Sequence, residues 1–255
     1  MINLFLSFLL GLIVGSFLNC VIYRLETGES FLKGRSYCPH CKHILSWKDL
    51  IPIFSFLILK GKCRYCGKKI SFQYPLVELF TGILFTLVVL IYGGPTSIDL
   101  IFCWVLTCFL VIIFVYDLKH YLIPDKVIYP AIAIAFLNQI LTSNIQHLTS
   151  NLLLGILPSL FFLAIILISR ETWMGFGDFK LSILMGLILS WPKILVALFF
   201  AFFSGAIFGL ILIFLKRKTM KSQIPFAPFL VSGTFFALFF GEKIINWYSH
   251  LILLK

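Results

Sequence analysis

The chain has 255 residues, of which 60% are hydrophobic and only 12% are charged, and its mean hydropathy is +1.04. A soluble domain of this length does not need so much apolar surface. Repeated apolar runs near the ~20 residues that cross a bilayer predict a polytopic membrane protein. The net charge of +11 could indicate nucleic-acid binding, but the basic residues lie in loops on one predicted side of the membrane, which argues against that class.

The apolar runs predict an all-α membrane protein with about eight transmembrane helices. The first run has no basic stretch before it and no small-residue cleavage site, so we expect a retained span rather than a cleaved signal peptide. The sixth run is short for a full crossing. Eight crossings would put both termini on the same side. The predicted spans are residues 2–22, 75–92, 98–116, 127–141, 151–169, 179–190, 194–215 and 227–248.

Lys and Arg are distributed very unevenly between the two sets of loops. Eighteen of the 21 lie in loops 23–74, 117–126, 170–180 and 216–222. Basic residues accumulate in cytoplasmic loops, so this bias predicts that these four loops are cytoplasmic and that both termini lie outside.

Loop 23–74 contains two pairs of cysteines with the same internal spacing, Cys38 with Cys41 and Cys63 with Cys66. The 21 residues between the pairs are close to the spacing of zinc ribbons. Two such pairs complete a tetrahedral four-thiolate site, which is typical of structural zinc. The loop is too small for a good core, so metal binding would supply much of its folding energy. A disulfide or redox pair is the alternative, and a reducing cytoplasm disfavours it.

Two acidic residues lie at the ends of apolar runs. Asp117 follows one run, and Asp178 follows Gly175 and Gly177 just before another. Ionised carboxylates at a bilayer edge are costly and usually functional. One acid alone does little hydrolytic work, so we expect the two aspartates to meet at one membrane face and share a water. The glycines would let a helix or an extended peptide approach closely. The alternative is two unrelated helix-end acids that snorkel to the interface.

Two further acids are candidates for supporting roles. Glu78 lies about one turn inside the second predicted span, where a carboxylate needs a partner. A basic residue of the first loop or a polar residue of a neighbouring span could supply that partner, and Glu78 is either a structural lock or part of a second site. Asp125 follows Pro124, a pattern typical of a helix start, and ranks below Asp117 for chemistry.

The chain resembles the bacterial type IV prepilin peptidases, which are membrane-embedded aspartic leader peptidases and N-methyltransferases. The Gly-x-Gly-Asp motif alone also occurs in presenilin-type proteases, but six motifs in the family's order are specific. Some members carry a second acid where this chain has Lys119, which points to Asp117 as the essential first aspartate. The six motifs are residues 11–24, the two cysteine pairs, and residues 74–78, 117–125, 175–178 and 224–228.

The resemblance implies that the substrates are prepilins and pseudopilins, whose short basic leaders are cleaved after a Gly at the cytoplasmic face of the inner membrane. The new N-terminal residue, usually Phe, would then be methylated with S-adenosylmethionine. Methyl transfer is associated with loop 23–74, and residues 75–255 would form the peptidase core after the first span, 1–22. No donor-binding residue can be assigned, and the sequence carries no signal for an oligomeric state.

Two alternatives remain open at this point. A peptidase without methyl transfer is the first, although the intact cysteine loop argues against it. A proton-coupled transporter or assembly scaffold is the second. Acids that carry protons in transport cluster near mid-membrane, whereas Asp117 and Asp178 lie at predicted span ends on one side.

Overall fold

The computed structural model describes residues 4–30, 34–92, 98–142, 145–216 and 223–253. These residues form helices and the loops between them, with no β-strand, and the longest connection runs from α1 to α3. The basic residues Lys33, Arg217, Lys218 and Lys221 lie outside the described residues. The helices are α1 (Leu4–Thr27), α2 (Phe54–Ile58), α3 (Gln73–Tyr92), α4 (Ile98–His120), α5 (Asp125–Thr142), α6 (Ile145–Ser169), α7 (Phe176–Leu189), α8 (Lys193–Phe214) and α9 (Ala227–Leu253).

Each of the eight predicted spans coincides with a helix, and the five-residue helix α2 lies within the cysteine loop. Within the described residues, α1, α3, α4, α8 and α9 are long and apolar enough to cross a membrane. The predicted all-α membrane architecture is therefore confirmed. The sixth predicted span is α7, whose 14 residues extend only about 21 Å, less than the ~30 Å of a bilayer core.

The chain divides into two compact units, Met1–Ile112 and Ile113–Lys255. In the first unit, α1 packs closely against α3 through small residues. A Cβ atom on Gly11 would lie 2.7 Å from the Cα of Gly82, and one on Gly15 would lie 2.7 Å from the Cα of Glu78. Small residues allow two membrane helices to approach until their backbones touch, which gives a packing role to the glycines of motif 11–24.

In the second unit, α7 is surrounded by α5, α6, α8 and α9. Its side chains Leu181, Leu184 and Met185 are fully buried. A Cβ atom on Gly155 of α6 would lie 2.7 Å from the carbonyl oxygen of Gly186, so these two helices are in backbone contact. Because other helices cover α7 from Leu181 to Leu189, this part of the helix is surrounded by protein and does not have to match the thickness of the bilayer.

Candidate functional site

Asp117 lies in the last turn of α4, where it is 5% exposed. Its carboxylate accepts a hydrogen bond from the backbone N–H of Ala227, the first residue of α9. The second carboxylate oxygen, Oδ2, has no hydrogen-bond partner among the described residues. One oxygen is thus fixed by the protein, and the other is a buried acceptor that a water molecule could use.

The hydrogen bond to Asp117 gives a role to motif 224–228, which the sequence analysis missed. The first amides of a helix have no partner within the helix, and the positive end of the helix dipole favours an anion. Pro225 and Pro228 flank the start of α9, so the helix begins where its first amide reaches Asp117. Prolines at these positions are typical of a helix start, but no sequence signal identifies the carboxylate that the first amide of the helix meets.

Asp178 lies in the first turn of α7. Its carboxylate accepts a hydrogen bond from the N–H of Gly175, and its own N–H donates to the carbonyl oxygen of Gly175 at 3.1 Å. Asp178 is half-buried, and its charge interacts with that of Asp117. Within the second unit the two predicted aspartates are therefore near enough for their charges to interact, and each lies beside the N-terminal end of a helix.

The two glycines before Asp178 have different surroundings. A Cβ atom on Gly177 would lie 3.1 Å from the Cβ of Ile123, so the missing side chain lets α7 approach the segment before α5. A Cβ atom on Gly175 would meet only the amide of Gly177, at 4.0 Å. From the sequence, both glycines are expected to allow a close approach. Only Gly175 leaves its side open, whereas Gly177 is already in contact with the protein.

Glu78 lies on α3 and is 7% exposed. Its Oε2 accepts a hydrogen bond of 2.8 Å from the N–H of Ile53, and the hydroxyl of Ser16 on α1 also hydrogen-bonds to it. Of the two kinds of partner that were expected, the polar residue of a neighbouring span is therefore present. These bonds connect α1, α3 and the cysteine loop, which supports the interpretation of Glu78 as a structural lock.

Asp125 is the first residue of α5, as its position after Pro124 predicts. The ammonium group of Lys180 on α7 lies 2.6 Å from its Oδ1 and 4.8 Å from the ring centre of Tyr129. Asp125 therefore connects the start of α5 to α7, through Lys180. Lys180 lies two residues beyond Asp178 in the sequence. Its interaction is with a cation and not with the other aspartates.

The sulfur atoms of Cys38, Cys41, Cys63 and Cys66 all lie within 4.8 Å of one another, and those of Cys38 and Cys66 are 3.9 Å apart. Zn–S bonds of about 2.3 Å in tetrahedral geometry would separate the sulfurs by about 3.8 Å. The four side chains therefore fit one tetrahedral metal ion without a large movement.

Each cysteine pair forms the same tight turn. The amide of the residue after the pair donates to the carbonyl of the first cysteine at 2.9 Å, from Lys42 to Cys38 and from Gly67 to Cys63. Lys42 and Gly67 both have positive φ angles, of 58° and 69°. Gly67 suits its turn because glycine adopts positive φ without strain, and Lys42 occupies the equivalent position of the first turn.

Asp49 holds the second turn in place. Its side chain is 3% exposed and accepts hydrogen bonds from the Nε of Arg64 at 2.7 Å and from the hydroxyl of Tyr65 at 3.1 Å. Burial alone would raise the pKa of Asp49, but the hydrogen bonds from Arg64 and Ser46 outweigh burial and lower the pKa to about 2. The residues between Cys63 and Cys66 are thus anchored by a permanently charged carboxylate.

The cysteine thiols differ in their protonation behaviour. Burial raises the pKa of the Cys38 thiol, but hydrogen bonds from the backbone of Cys41 and His40 outweigh burial and lower it to about 7. At Cys66 the backbone of Lys68 lowers the pKa, while burial and the neighbouring thiols raise it to about 11. A cation among the four sulfurs would relieve this conflict, because it favours thiolates.

Two family models match the chain. Residues 9–92 match the Bacterial Peptidase A24 N-terminal domain, and residues 104–210 match the Type IV leader peptidase family. No solved structure matches the chain.

Curated relatives match over nearly the whole chain, and each is named prepilin leader peptidase/N-methyltransferase. The relative from Bacillus subtilis (strain 168) is 35% identical over 249 residues, which cover 96% of this chain and 98% of the relative. The relative from Aeromonas salmonicida (strain A449) is 34% identical over 97% of this chain and 94% of its own length. The relative from Legionella pneumophila is 32% identical over 94% of this chain and 92% of its own length. On this evidence the chain belongs to the type IV leader peptidase family.

Proposed function

We propose that the chain cleaves the leader peptide from type IV prepilins and pseudopilins and then methylates the new N-terminal residue. The pairing of Asp117 and Asp178 carries the proposal, because it joins two acids from separate helices and leaves one buried carboxylate oxygen available. The relatives' names support both activities. The resemblance to the family supports cleavage after a Gly and methylation of a new N-terminal residue that is usually Phe.

Asp117 and Asp178 are the proposed catalytic pair. Two neighbouring carboxylates cannot both ionise easily, so the pair holds one proton and titrates as a unit. The charged member accepts a proton from water, whose oxygen attacks the scissile carbonyl carbon, and the protonated member donates to the carbonyl oxygen. When the C–N bond of the tetrahedral intermediate breaks, the leaving amine takes a proton from one member of the pair and a hydroxyl of the intermediate gives a proton to the other, so the pair again holds one proton.

Three neighbouring groups would support this chemistry. The Ala227 amide fixes one oxygen of Asp117, and the Gly175 amide holds Asp178. The open side of Gly175 offers room for an extended leader beside Asp178. Gly177, Asp125 and Glu78 support the site or the fold by packing, ion pairing and hydrogen bonding, and do not act on the substrate.

We assign one structural Zn²⁺ to Cys38, Cys41, Cys63 and Cys66, on the basis of their sulfur spacing. Four thiolates close the coordination shell, so the ion would organise loop 23–74 and would not bind substrate. We also assign this loop a part in methyl transfer, for which S-adenosylmethionine supplies the methyl group when bound. Residues 75–255 are assigned to the peptidase core.

The proposed orientation puts the cysteine loop and both aspartates at the cytoplasmic face of the bacterial inner membrane, with both termini outside. The basic residues of the four loops support it. An Arg35→Cys variant should not react with a membrane-impermeant maleimide in intact cells but should react after permeabilisation. Labelling of the parent protein, which has free cysteines of its own, is subtracted as the background. A Ser249→Cys control should react in intact cells. Labelling of position 35 from outside would reverse the orientation.

The activity is tested with the purified protein in liposomes and a full-length prepilin. Mass spectrometry should show loss of the leader and, when S-adenosylmethionine is added, gain of one methyl group on the new N-terminus. The Asp178→Asn protein serves as the matched control. Leader loss without methylation would restrict the chain to the peptidase alternative, and an intact prepilin would contradict the proposal.

A further inference from the structure

The cysteine loop carries an apolar surface that the zinc site does not use. Within residues 47–58, four large side chains are 61–73% exposed, namely Trp47, Phe54, Leu57 and Ile58. Three of them lie on the short helix α2, which is tethered between two candidate membrane spans, α1 and α3. Exposed apolar patches of this kind indicate an interaction surface.

The hydrogen bond between Ile53 and Glu78 fixes the position of α2 along α3. Helix α3 has 20 residues and is about 30 Å long, the thickness of a bilayer core. Glu78 is five residues into this helix, which corresponds to about 7–8 Å from its first residue. Because the N–H of Ile53 lies 2.8 Å from Glu78, the start of α2 lies near the boundary between headgroups and acyl chains.

The start of α2 is held there by an unusual backbone. Ile53 has φ 60° and ψ −51°, and the amide of Phe54 donates to the carbonyl of Pro52 at 2.6 Å. This geometry is that of the strained γ-turn, which is rare and is especially costly for a β-branched residue. The buried Glu78 carboxylate, which accepts the Ile53 amide, holds the strained turn against α3.

The exposed face of α2 is also continuous with the face of α3 that would meet lipid. The rings of Phe56 and Phe72 lie 5.4 Å apart. Phe72 precedes α3 and is 72% exposed, and Leu76 and Phe80 follow it at helical spacing and are also exposed. The contact between Phe56 and Phe72 thus joins the apolar surface of the loop to that of α3.

Lysines flank this apolar segment. Lys48 precedes it and Lys60 follows it, and both are exposed. Basic residues beside an apolar helix favour anionic lipid headgroups, and such helices lie in the membrane interface at a depth of ~5–10 Å. Anionic lipid therefore complements both the charge and the apolar face.

We propose that helix α2 lies in the membrane interface, with Phe54, Leu57 and Ile58 in the acyl-chain boundary of the adjacent leaflet. The cysteine loop is then held against the bilayer at α2 as well as at the ends of α1 and α3. This proposal depends on the chain being a membrane protein but not on its peptidase activity, so each can fail without the other.

The test is photo-crosslinking of the full chain in nanodiscs that contain phosphatidylglycerol. A benzophenone amino acid is placed at position 58, at position 80 on the lipid-exposed face of α3, and at position 68 in the second cysteine turn. Intact mass should show lipid adducts from position 58 at a level similar to position 80, and none from position 68. Each variant is used only if it keeps the metal content of the parent.

A second variant tests the same contact through its chemistry. With the benzophenone at position 54, the double change Leu57→Glu and Ile58→Glu should abolish the lipid adduct, while the metal content of the loop stays unchanged. Adducts from position 58 to a second copy of the chain would overturn the proposal. So would the lack of lipid adducts at 58 in nanodiscs where position 80 reacts.

Discussion

The ammonium group of Lys180 lies 2.6 Å from the Oδ1 of Asp125, and this ion pair connects the first turn of α7 to the first residue of α5. Lys180 follows Asp178 by two residues. The pair therefore holds the helix that carries one candidate catalytic acid against a helix that begins shortly after the other. It gives Asp125 a structural partner and leaves Asp117 as the acid that interacts with Asp178.

The Asp125→Asn variant should keep substantial leader-cleaving activity. Asn can still accept a hydrogen bond from Lys180 and can cap the start of α5. The Asp125 side chain is 62% exposed, so the lost ion pair should cost less than about 1 kcal/mol of stability. Initial rates of leader removal in liposomes measure the effect. An inactive but folded variant would mean that Asp125, and not Asp117, is the first catalytic aspartate.

The purified protein should contain about one zinc ion per chain. Cys38→Ser and Cys66→Ser should each lose the ion and loosen loop 23–74, because the serine hydroxyl does not replace a thiolate and the loop has little core of its own. Metal analysis and protease sensitivity of the loop provide the two readouts. The matched control is Cys108→Ser in α4, away from the cluster, which should keep its zinc. Full occupancy in both cluster variants would refute the four-thiolate assignment.

The two cysteine turns allow a paired prediction. Gly67→Ala should destabilise the second turn by about 1 kcal/mol, because an L-residue with positive φ is strained there and no neighbouring atom would contact the new side chain. Lys42→Gly, at the equivalent position of the first turn, removes the same strain and should not destabilise it. Rates of zinc release to a chelator compare the two. Faster release from Lys42→Gly than from Gly67→Ala would contradict the assignment.

The sequence predicted the helices well because a bilayer requires long apolar segments, and all eight runs form helices. It also predicted the cysteine cluster, since four thiolates around one ion require a recognisable spacing. It could not identify the partners of the buried acids. Asp117 and Glu78 each accept a backbone amide, from Ala227 and Ile53, and every residue type except proline can supply that donor.

The strained turn at Ile53 also could not be predicted from the sequence. β-Branched residues disfavour positive φ, so nothing in the local sequence favours this conformation. Tertiary contacts impose it through Glu78 and through the packing of Phe56 on Phe72. Likewise, the different roles of Gly175 and Gly177 depend on Ile123. This residue lies in the loop between α4 and α5, and although it falls within motif 117–125, the motif does not identify Gly177 as its partner.

Gly175→Ala and Gly177→Ala should separate substrate contact from packing. Alanine at 175 has open space and an extended backbone, so stability should change by less than about 0.5 kcal/mol. Alanine at 177 must displace Ile123, which should cost about 1–3 kcal/mol. Thermal unfolding in detergent measures both. The contrast would be wrong if Gly175→Ala were the less stable protein.

The activities of the same two variants then become informative. A stable Gly175→Ala protein that cleaves slowly, with a raised KM, would show that the leader passes beside this glycine. The Gly177→Ala protein should recover part of its activity when Ile123 is also changed to Ala, because this removes the Cγ1 and Cδ1 atoms that the new side chain would meet at 3.3 Å. Normal kinetics in Gly175→Ala would remove the proposed leader path along this residue.

The catalytic pair gives the last prediction. Asp117→Asn and Asp178→Asn should each lower leader cleavage by about 10²–10⁴-fold or more, because Asn cannot take up or share the proton. Both variants should stay folded, since Asn keeps the size of the side chain and can accept the amide hydrogen bonds from Ala227 and Gly175. The double variant should be no slower than either single one, because each change alone disables the shared-proton mechanism.

Methylation of a precleaved pilin should survive in both single variants if the two active sites are separate. Cleavage rates and methyl incorporation in the same preparations decide the matter, and near-normal cleavage by either single variant would refute the two-aspartate mechanism.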